Sequence, residues 1–420
     1  MIHNPDMREW GVLAILLAAT FAYSVIASKS YPRARPVVRR NVRLSTPALP
    51  PIAPMVWDDY EGAYMASLVV GTGVVELVLD TGSSQLSVKG PNCTWRQCGA
   101  AGCSVSACPC GFLEGGQSRT DCSQHYYQPA GTKISPGQAG SGVSTVMTYG
   151  SQTDTIEHYL DLVSVPTSPE GVTCADLRAA PRAAEFEAAT RAGSAEVIVH
   201  RVLEIEGSSS SNLLGLSRPN KGSVEHGSTV LLDALVPAGV WSVVFHASGG
   251  WLALGALPCF SPVHHIPLVS PRSFDGFLTS FYIVEIVSIS VGGSEASLRP
   301  LKSPPRYCVV DTGTTSTYGS VSLGKSLDAA GYDEASSVLR LELGSAANPV
   351  SLTYTAAQLR DPDSPRHSVI QAWPGRTLPD YDDIFAPSHG GVILLGALMM
   401  NNMYWEFDVP HKTIGVSDLR

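Results

Sequence analysis

The sequence predicts a mainly β protein built of two similar halves, on the basis of its composition and of an internal repeat. Its 420 residues include 39 Gly and 30 Pro, which interrupt helices and favour turns, and few long stretches have helical periodicity. A hydrophobic share of 44% is enough for one large core or two smaller ones and excludes a disordered chain. The net charge of −9 argues against nucleic acid as a partner.

The first 56 residues differ in composition from the rest. Residues 10–27 are an uncharged apolar segment, whose length lies between those of a signal peptide and a membrane span. Residues 29–56 are basic and Pro-rich. We therefore assign a signal peptide or signal anchor to residues 1–28, with a buried core helix as the alternative, and a pro-segment to residues 29–56. An uncleaved anchor would attach the protein to a membrane through residues 10–27.

The basic pro-segment and the acidic remainder of the chain have opposite charge. Their attraction makes the protein's own pro-segment an expected partner. Protonation of carboxylates at low pH would release it.

Nine cysteines indicate an oxidising compartment. Because the dense cluster has no His at ligand spacing, disulfides are favoured over metal binding, and no metal site is predicted. The odd number leaves one thiol unpaired or bonded between chains. Asn92-Cys93-Thr94 matches the N-glycosylation sequon. Together with the leader, these features predict the secretory pathway: a secreted, vacuolar or lysosomal, or endomembrane-lumen protein. The cluster consists of Cys93, Cys98, Cys103, Cys108, Cys110 and Cys122.

A strand followed by Asp-Thr-Gly and a hydroxyl residue occurs twice. The two copies are VELVLDTGSSQLSV at residues 75–88 and YCVVDTGTTSTY at residues 307–318. One Asp-Thr-Gly after a strand is a weak signal, whereas two copies are a strong one. The copies contain Asp80, Thr81, Gly82 and Ser83, and Asp311, Thr312, Gly313 and Thr314.

Each copy is followed by an apolar segment that contains a glycine. These segments are LLGL at residues 213–216 and ILLG at residues 393–396. A glycine at this point lets another backbone approach closely, as a strand beside the Asp loop requires. Each segment taken alone would be an ordinary core strand.

The repeat suggests that two β lobes bring Asp80 and Asp311 together. Two carboxyls about 3 Å apart cannot both ionise, so they share a proton and act as base and acid. The glycines permit tight turns with backbone N–H groups directed at the carboxylates. Ser83 and Thr314 are expected to donate hydrogen bonds to the outer carboxylate oxygens.

At these residues the chain resembles the pepsin-like aspartic proteases, and the resemblance extends from about Asp58 to Arg420. It implies a bilobal fold with a cleft between an N-terminal lobe at residues 57–245 and a C-terminal lobe at residues 246–420. Asp80 and Asp311 would activate the water that attacks the scissile peptide. Thr81 and Thr312 would lock the two loops together.

Other segments resemble landmarks of this family. MTYGSQ, residues 147–152, resembles the flap, so Tyr149, Gly150 and Ser151 would cover the substrate; an ordinary hairpin end is the alternative. Cys93 and Cys98 would close the small loop after the first active-site strand. The Cys-rich insert spans residues 93–122, and the run from 99 to 125 exceeds that small loop and is similar to the enlarged insert of plant-type members.

The chain also departs from the family pattern. Ser87 replaces the usual Trp that hydrogen-bonds the flap tyrosine, and Trp95 either fills that space or packs against the cysteine loop. Ala397 replaces an acidic residue after ILLG. Residues 169–194 are Ala-rich with charges at helical spacing, which predicts an inserted solvated helix or loop, with a processed or partner-binding loop as the alternative.

The expected function is that of a monomeric acid endopeptidase that binds a peptide or protein substrate as an extended strand. No metal or organic cofactor is required, because the two aspartates supply both acid and base. A catalytically silent pepsin-like binding module is the second hypothesis. A Cys-rich, membrane-tethered adhesion domain is the third, and it leaves the paired motifs unexplained.

Overall fold

The structure is a computed structural model in which residues 49–420 form one compact unit. The predicted signal segment 1–28 and residues 29–48 of the predicted pro-segment lie outside the described residues. The described ranges are 49–58, 62–99, 102–108, 111–113, 117–119, 126–134, 146–149, 152–166, 172–181, 191–206, 212–218, 230–270, 280–333, 336–356, 358, 370–372 and 391–419.

The protein is mainly β, as predicted, and its larger sheet has 15 strands. Strand β10 (Gln152–Pro166) pairs with both β11 (Arg191–Glu206) and β2 (Ala63–Val70), so this sheet curls back on itself as a half-barrel. Its strands are β1 (Ile52–Asp58), β2 (Ala63–Val70), β3 (Gly73–Asp80), β4 (Leu86–Gly99), β5 (Gly102–Ala107), β8 (Thr132–Ile134), β9 (Val146–Tyr149), β10 (Gln152–Pro166), β11 (Arg191–Glu206), β12 (Leu213–Gly215), β13 (Val240–His246), β14 (Gly249–Ala253), β15 (His264–Pro267), β24 (Met403–Asp408) and β25 (Thr413–Asp418).

The second sheet has eight strands, and a separate two-stranded sheet consists of β6 (Gly111–Leu113) and β7 (Gln117–Arg119). The described residues also include helix α1 (Val230–Leu235), helix α2 (Val321–Ala329) and short 3₁₀ helices at Asp176–Arg178, Glu295–Ser297 and Ala397–Met400. The strands of the eight-stranded sheet are β16 (Tyr282–Gly292), β17 (Arg299–Pro300), β18 (Tyr307–Val310), β19 (Thr317–Gly319), β20 (Val338–Ser345), β21 (Asn348–Tyr354), β22 (Ile370–Ala372) and β23 (Val392–Leu395).

The same order of strand pairings occurs in both large sheets. In the first, β3 pairs antiparallel with β2 and parallel with β12, and β12 continues antiparallel to β4, which lies parallel to β11. In the second, β18 pairs antiparallel with β16 and parallel with β23, and β23 continues antiparallel to β19, which lies parallel to β22. The repeat predicted from sequence is therefore also a repeat of strand topology.

Many buried apolar side chains from both sheets form one large core cluster, and smaller separate clusters hold the others. Tyr307–Val310 is buried along its whole length, as expected for a central strand that is covered on both faces. This packing fixes the ends of β3 and β18, which carry the candidate site.

The predicted boundary at residue 56 falls inside strand β1. Ile52, Ala53 and Met55 are fully buried, and β1 pairs with both β14 and β2. The strand forms because IAPMV is a run of apolar residues that the core can bury. Residues 52–56 therefore belong to the folded sheet, and a mature chain that retains β1 begins before Ile52.

The predicted Cys93–Cys98 disulfide is wrong. Cys93 is bonded to Cys108, with their Cα atoms 5.3 Å apart. Both Cys93 and Cys98 lie on the extended strand β4, and five residues of strand span about 16 Å, beyond the roughly 7 Å that a disulfide tolerates. The hairpin with β5 places Cys98 opposite Cys103 and brings Cys108 back to Cys93.

A second disulfide, Cys174–Cys259, attaches part of the Ala-rich segment to the larger sheet. Within residues 172–181 Leu177 is buried, and the indole N–H of Trp251 donates to the carbonyl oxygen of Ala179 at 2.9 Å. Residues 173–176, 178 and 179 are exposed, so this part of the segment is a largely solvated loop, as predicted, that is anchored through Leu177 and the disulfide. Among the described cysteines Cys308 is a free, buried thiol.

None of the helices in the described part of the chain is long and apolar enough to cross a membrane.

Candidate active site

Strands β3 and β18 deliver the two predicted aspartates to one place. Asp80 is the last residue of β3, and Asp311 directly follows β18. The backbone N–H of Asp311 donates to the carbonyl oxygen of Leu395 at 3.0 Å. Each aspartate therefore begins its loop where a buried parallel strand pair ends.

The glycines of LLGL and ILLG permit the close backbone approach that the sequence predicted. A Cβ atom at Gly215 would lie 2.4 Å from the backbone nitrogen of Gln85, and one at Gly396 would lie 2.3 Å from the carbonyl oxygen of Ser316. Any other residue would collide with main-chain atoms there. These strands thus pass directly behind the two Asp loops.

Thr81 and Thr312 join the two loops by reciprocal hydrogen bonds. The backbone N–H of Thr81 donates to Oγ1 of Thr312 at 3.1 Å, and the N–H of Thr312 donates to Oγ1 of Thr81 at 2.9 Å. Each hydroxyl donates in turn to a carbonyl oxygen of the opposite strand, that of Val310 or Leu79, at 2.8 and 2.7 Å. Both threonines are fully buried, so the interaction is shielded from water.

Gly82 and Gly313 place each carboxylate against the opposite loop. Their N–H groups donate to Oδ1 of Asp80 and Oδ1 of Asp311 at 2.7 and 3.1 Å. A Cβ atom at Gly82 would lie 2.8 Å from Oδ1 of Asp311, and one at Gly313 would lie 2.4 Å from Oδ1 of Asp80. The two carboxylates are thus brought together, with room only for glycine beside them.

The hydroxyls of Thr314 and Ser83 differ in their contacts. Oγ1 of Thr314 donates to Oδ2 of Asp311 at 2.6 Å. Oγ of Ser83 is buried and has no hydrogen-bond partner of normal geometry among the described residues, although its proximity lowers the pKa of Asp80. The hydrogen bond expected of both hydroxyls is therefore formed with normal geometry only by Thr314.

Burial is the main electrostatic effect at both carboxyls. Desolvation raises the pKa of Asp80, and the nearby Ser83 hydroxyl together with the backbone N–H groups of Gly82 and Ser83 partly offsets that rise. Asp311 is only 2% exposed, and its pKa is raised by desolvation and then by the charge of Asp80. The pair is therefore set to hold one proton over a wider pH range than isolated aspartates.

The predicted flap is described only at its base. β9 and β10 form an antiparallel hairpin in which Tyr149 is opposite Gln152, so a hairpin does turn after Tyr149. Gly150 and Ser151 lie outside the described residues.

The residues that depart from the family pattern lie in two different surroundings. Ser87 is buried, and its register partner on β11 is His200. Trp95 is buried in a cluster with Cys93 and Cys108, so it packs against the cysteine loop. Asn92, in the sequon, is exposed on β4.

Two side chains that connect the LLGL segment to the start of β16 were missed from the sequence: Arg218 and Tyr282. Tyr282 donates a hydrogen bond to the carbonyl oxygen of Leu216, which follows the LLG strand. The position of Arg218 just after LLGL was a weak local signal, whereas Tyr282 lies in no motif and reaches the site only through long-range strand pairing.

No group of three or more His, Cys, Asp or Glu in the described ranges has an arrangement suited to a metal ion. No protein-family model matches this chain, and no curated protein is significantly similar to it. The structure itself shows a mainly β protein with two large sheets.

Proposed function

We propose that this protein is a pepsin-like aspartic endopeptidase that hydrolyses peptide bonds in extended polypeptides at acidic pH. The observation that carries the proposal is the pair of carboxylates Asp80 and Asp311, each packed against the glycine of the other's loop. The reciprocal threonine hydrogen bonds and the repeated strand topology support it. The bilobal fold, with a cleft between lobes, is part of the same proposal.

The two carboxyls have the properties that hydrolysis by an activated water requires. Because two adjacent charges repel each other, the pair loses its two protons in separate steps. We assign the retained proton to Asp311, the more deeply buried carboxyl. Asp80 accepts a proton from the water as it attacks the peptide carbon, and Asp311 donates its proton to the carbonyl oxygen. Asp80 then donates the water's proton to the amide nitrogen as the C–N bond breaks, and Asp311 takes back a proton from a hydroxyl of the intermediate as the carbonyl re-forms.

The proposed substrate is a peptide bound as an extended strand beneath the β9–β10 hairpin. An extended peptide can pair its backbone with a hairpin, and a hairpin that covers the site would exclude water. Since the aspartates provide both acid and base, the reaction needs no cofactor. The two described disulfides support an oxidising, lumenal or extracellular location. Three further statements remain predictions: that the protein's own pro-segment binds to it, that residues 10–27 attach it to a membrane, and that it is a monomer.

The test is peptide cleavage by the purified full chain between pH 3 and 7, with the Asp80→Asn variant beside it. Asp80→Asn keeps the shape of the side chain but cannot accept the water's proton, so we expect cleavage to fall at least about a thousandfold. Asp328→Asn changes an exposed carboxylate on α2 and should retain full activity.

A folded, leader-free wild-type protein, with its N-terminus mapped, that cleaves no peptide in this range would overturn the proposal. High-affinity peptide binding without cleavage would identify the alternative, a catalytically silent binding module.

A further inference from the structure

We infer that Tyr282 and Arg218 are positioning residues that hold Asp80 opposite Asp311 through the clamp segment, Leu216–Arg218. The inference rests on the proposed function and concerns the same site. It adds a second connection between the two aspartates, independent of the threonine pair.

One side of the clamp segment is bonded to the Asp80 loop. The N–H of Leu216 donates to the carbonyl oxygen of Asp80 itself at 2.7 Å, and the N–H of Ser217 donates to that of Ser83 at 2.8 Å. Leu216 and Ser217 are both buried. A shift of this segment would therefore move the main chain of Asp80.

The other side of the clamp segment is bonded to the start of β16. The hydroxyl of Tyr282 donates to the carbonyl oxygen of Leu216 at 2.9 Å. The guanidinium of Arg218 donates to the carbonyl oxygen of Phe281 through Nε at 3.2 Å and Nη2 at 2.6 Å. The N–H of Arg218 also donates to the carbonyl oxygen of Ser280 at 2.9 Å.

Strand β16 carries this connection to the second aspartate. Tyr282 is the register partner of Val310, the residue before Asp311. A continuous path thus runs from Asp80 through Leu216 and Tyr282 to the strand that ends at Asp311. Each step is a short hydrogen bond or a strand pairing between buried residues.

The ring of Tyr282 has little freedom to adjust. The indole N–H of Trp241 donates to the Tyr282 hydroxyl at 3.2 Å, and the Phe407 ring lies edge-on to Tyr282 with centroids 4.7 Å apart. Trp241 and Phe407 are themselves stacked at 4.0 Å. The hydroxyl is therefore held at one point, which is what a positioning contact needs.

Removal of the Tyr282 hydroxyl should relax the Asp80 loop. The carbonyl oxygen of Leu216 and the indole N–H of Trp241 would both lose a buried partner, and the clamp segment would shift to recover one. A displacement of about 1 Å in a catalytic group can cost as much as a hundredfold in rate. A wider separation of the carboxyls also weakens their repulsion, which lowers the pKa of Asp311.

The experiment compares Tyr282→Phe with Tyr354→Phe in the full chain. Tyr354 is also buried, but its hydroxyl has no hydrogen-bond partner among the described residues, so it controls for the loss of a buried hydroxyl. For Tyr282→Phe we expect kcat to fall about tenfold or more with little change in KM. The alkaline limb of the pH profile should move to lower pH, an effect that simple destabilisation would not produce.

Amide hydrogen exchange tests, without relying on activity, whether the clamp segment restrains the Asp80 loop. Peptides that cover residues 79–83 and 213–218 should exchange faster in Tyr282→Phe than in the wild type. In Tyr354→Phe their exchange rates should be unchanged. Arg218→Lys, which keeps the charge but cannot donate through two nitrogens of a planar fork, should show the same changes to a smaller extent. It provides a second variant should Tyr282→Phe fail to fold.

Unchanged exchange at residues 79–83 in a folded Tyr282→Phe or Arg218→Lys protein would overturn the inference. An unchanged pH profile and kcat in an active variant would overturn it as well. If the wild-type protein cleaves no peptide, the proposed function fails, whereas hydrogen exchange still decides whether the clamp restrains the Asp80 loop.

Discussion

The Asp80 loop and the Asp311 loop share one motif but differ in their surroundings. Both follow a strand in the same pairing order, and both are crossed by a glycine strand. In the Asp311 loop the next hydroxyl, that of Thr314, donates to the carboxylate at 2.6 Å, whereas the equivalent Ser83 hydroxyl has no such bond among the described residues. Asp311 is also the more deeply buried of the two aspartates.

This difference shows what the repeat does and does not specify. The shared motif fixes the backbone of each loop: its turn, the N–H donor of its glycine, and the reciprocal hydrogen bonds between the two threonines. The proton affinity of each carboxyl depends instead on burial and on neighbours from other strands. Two equal motifs can therefore yield one carboxylate and one carboxylic acid, which is the division of roles that the proposed chemistry needs.

The largest expected effect is on the pH dependence of stability. Because the folded-state pKa of Asp311 is raised, this group contributes stability that is present below the unfolded pKa of about 4 and lost as pH rises through the folded pKa. Asp311→Asn is always neutral, so it should match the wild type at pH 3 and be more stable at neutral pH. We expect the difference in unfolding free energy to exceed about 1.4 kcal/mol, the equivalent of one pKa unit.

Urea unfolding at pH 3, 5 and 7 measures this difference. Asp80→Asn should also make the unfolding free energy depend less on pH, since it removes the charge that raises the pKa of Asp311. Parallel stability curves for the wild type and both variants would show that the two carboxyls titrate as ordinary surface groups.

The next effect concerns the two glycines beside the carboxylates. Gly313→Ala would place a methyl group 2.4 Å from Oδ1 of Asp80, and Gly82→Ala would place one 2.8 Å from Oδ1 of Asp311. We expect each substitution to lower the unfolding free energy of the protein by about 1–3 kcal/mol and to abolish most cleavage. The effect should be larger at Gly313. Thermal unfolding and peptide cleavage measure both.

Gly293→Ala is the matched control, since a Cβ there would meet no described heavy atom within 4 Å and its φ is not positive. It should leave stability and activity nearly unchanged. Equal tolerance of alanine at Gly82, Gly313 and Gly293 would mean that the two loops are not packed against each other's carboxylates.

The smallest effect separates the two hydroxyls. Thr314→Val removes the hydrogen bond to Oδ2 of Asp311 and should cost about 1 kcal/mol while raising the pKa of Asp311 further, because that hydrogen bond lowers it. Ser83→Ala should cost less, since no bond of normal geometry is lost. Chemical unfolding and the pH limits of cleavage are measured for both variants. A larger loss of stability in Ser83→Ala than in Thr314→Val would contradict the assignment of the stronger hydrogen bond to Thr314.

Local sequence predicted the elements of the candidate site better than its long-range contacts. The strand before each Asp and the glycines of LLGL and ILLG followed from residue type, because buried β-formers and close backbone approach leave few choices. The Cys93–Cys98 pairing was wrong because the length of β4 was not evident from spacing. Arg218 and Tyr282 were missed since their contacts depend on which strands become neighbours.

The sequence by itself determined the β class, the repeat and the identity of the two aspartates, because hydrophobic patterning and the Asp-Thr-Gly turns are local properties. Only the tertiary structure decided that Gly313 packs on Asp80, that Cys93 bonds to Cys108, and that Thr314 but not Ser83 donates a well-formed hydrogen bond. These outcomes depend on distances between segments as far as 233 residues apart in the chain. Such distances are set by the packing of both sheets as a whole.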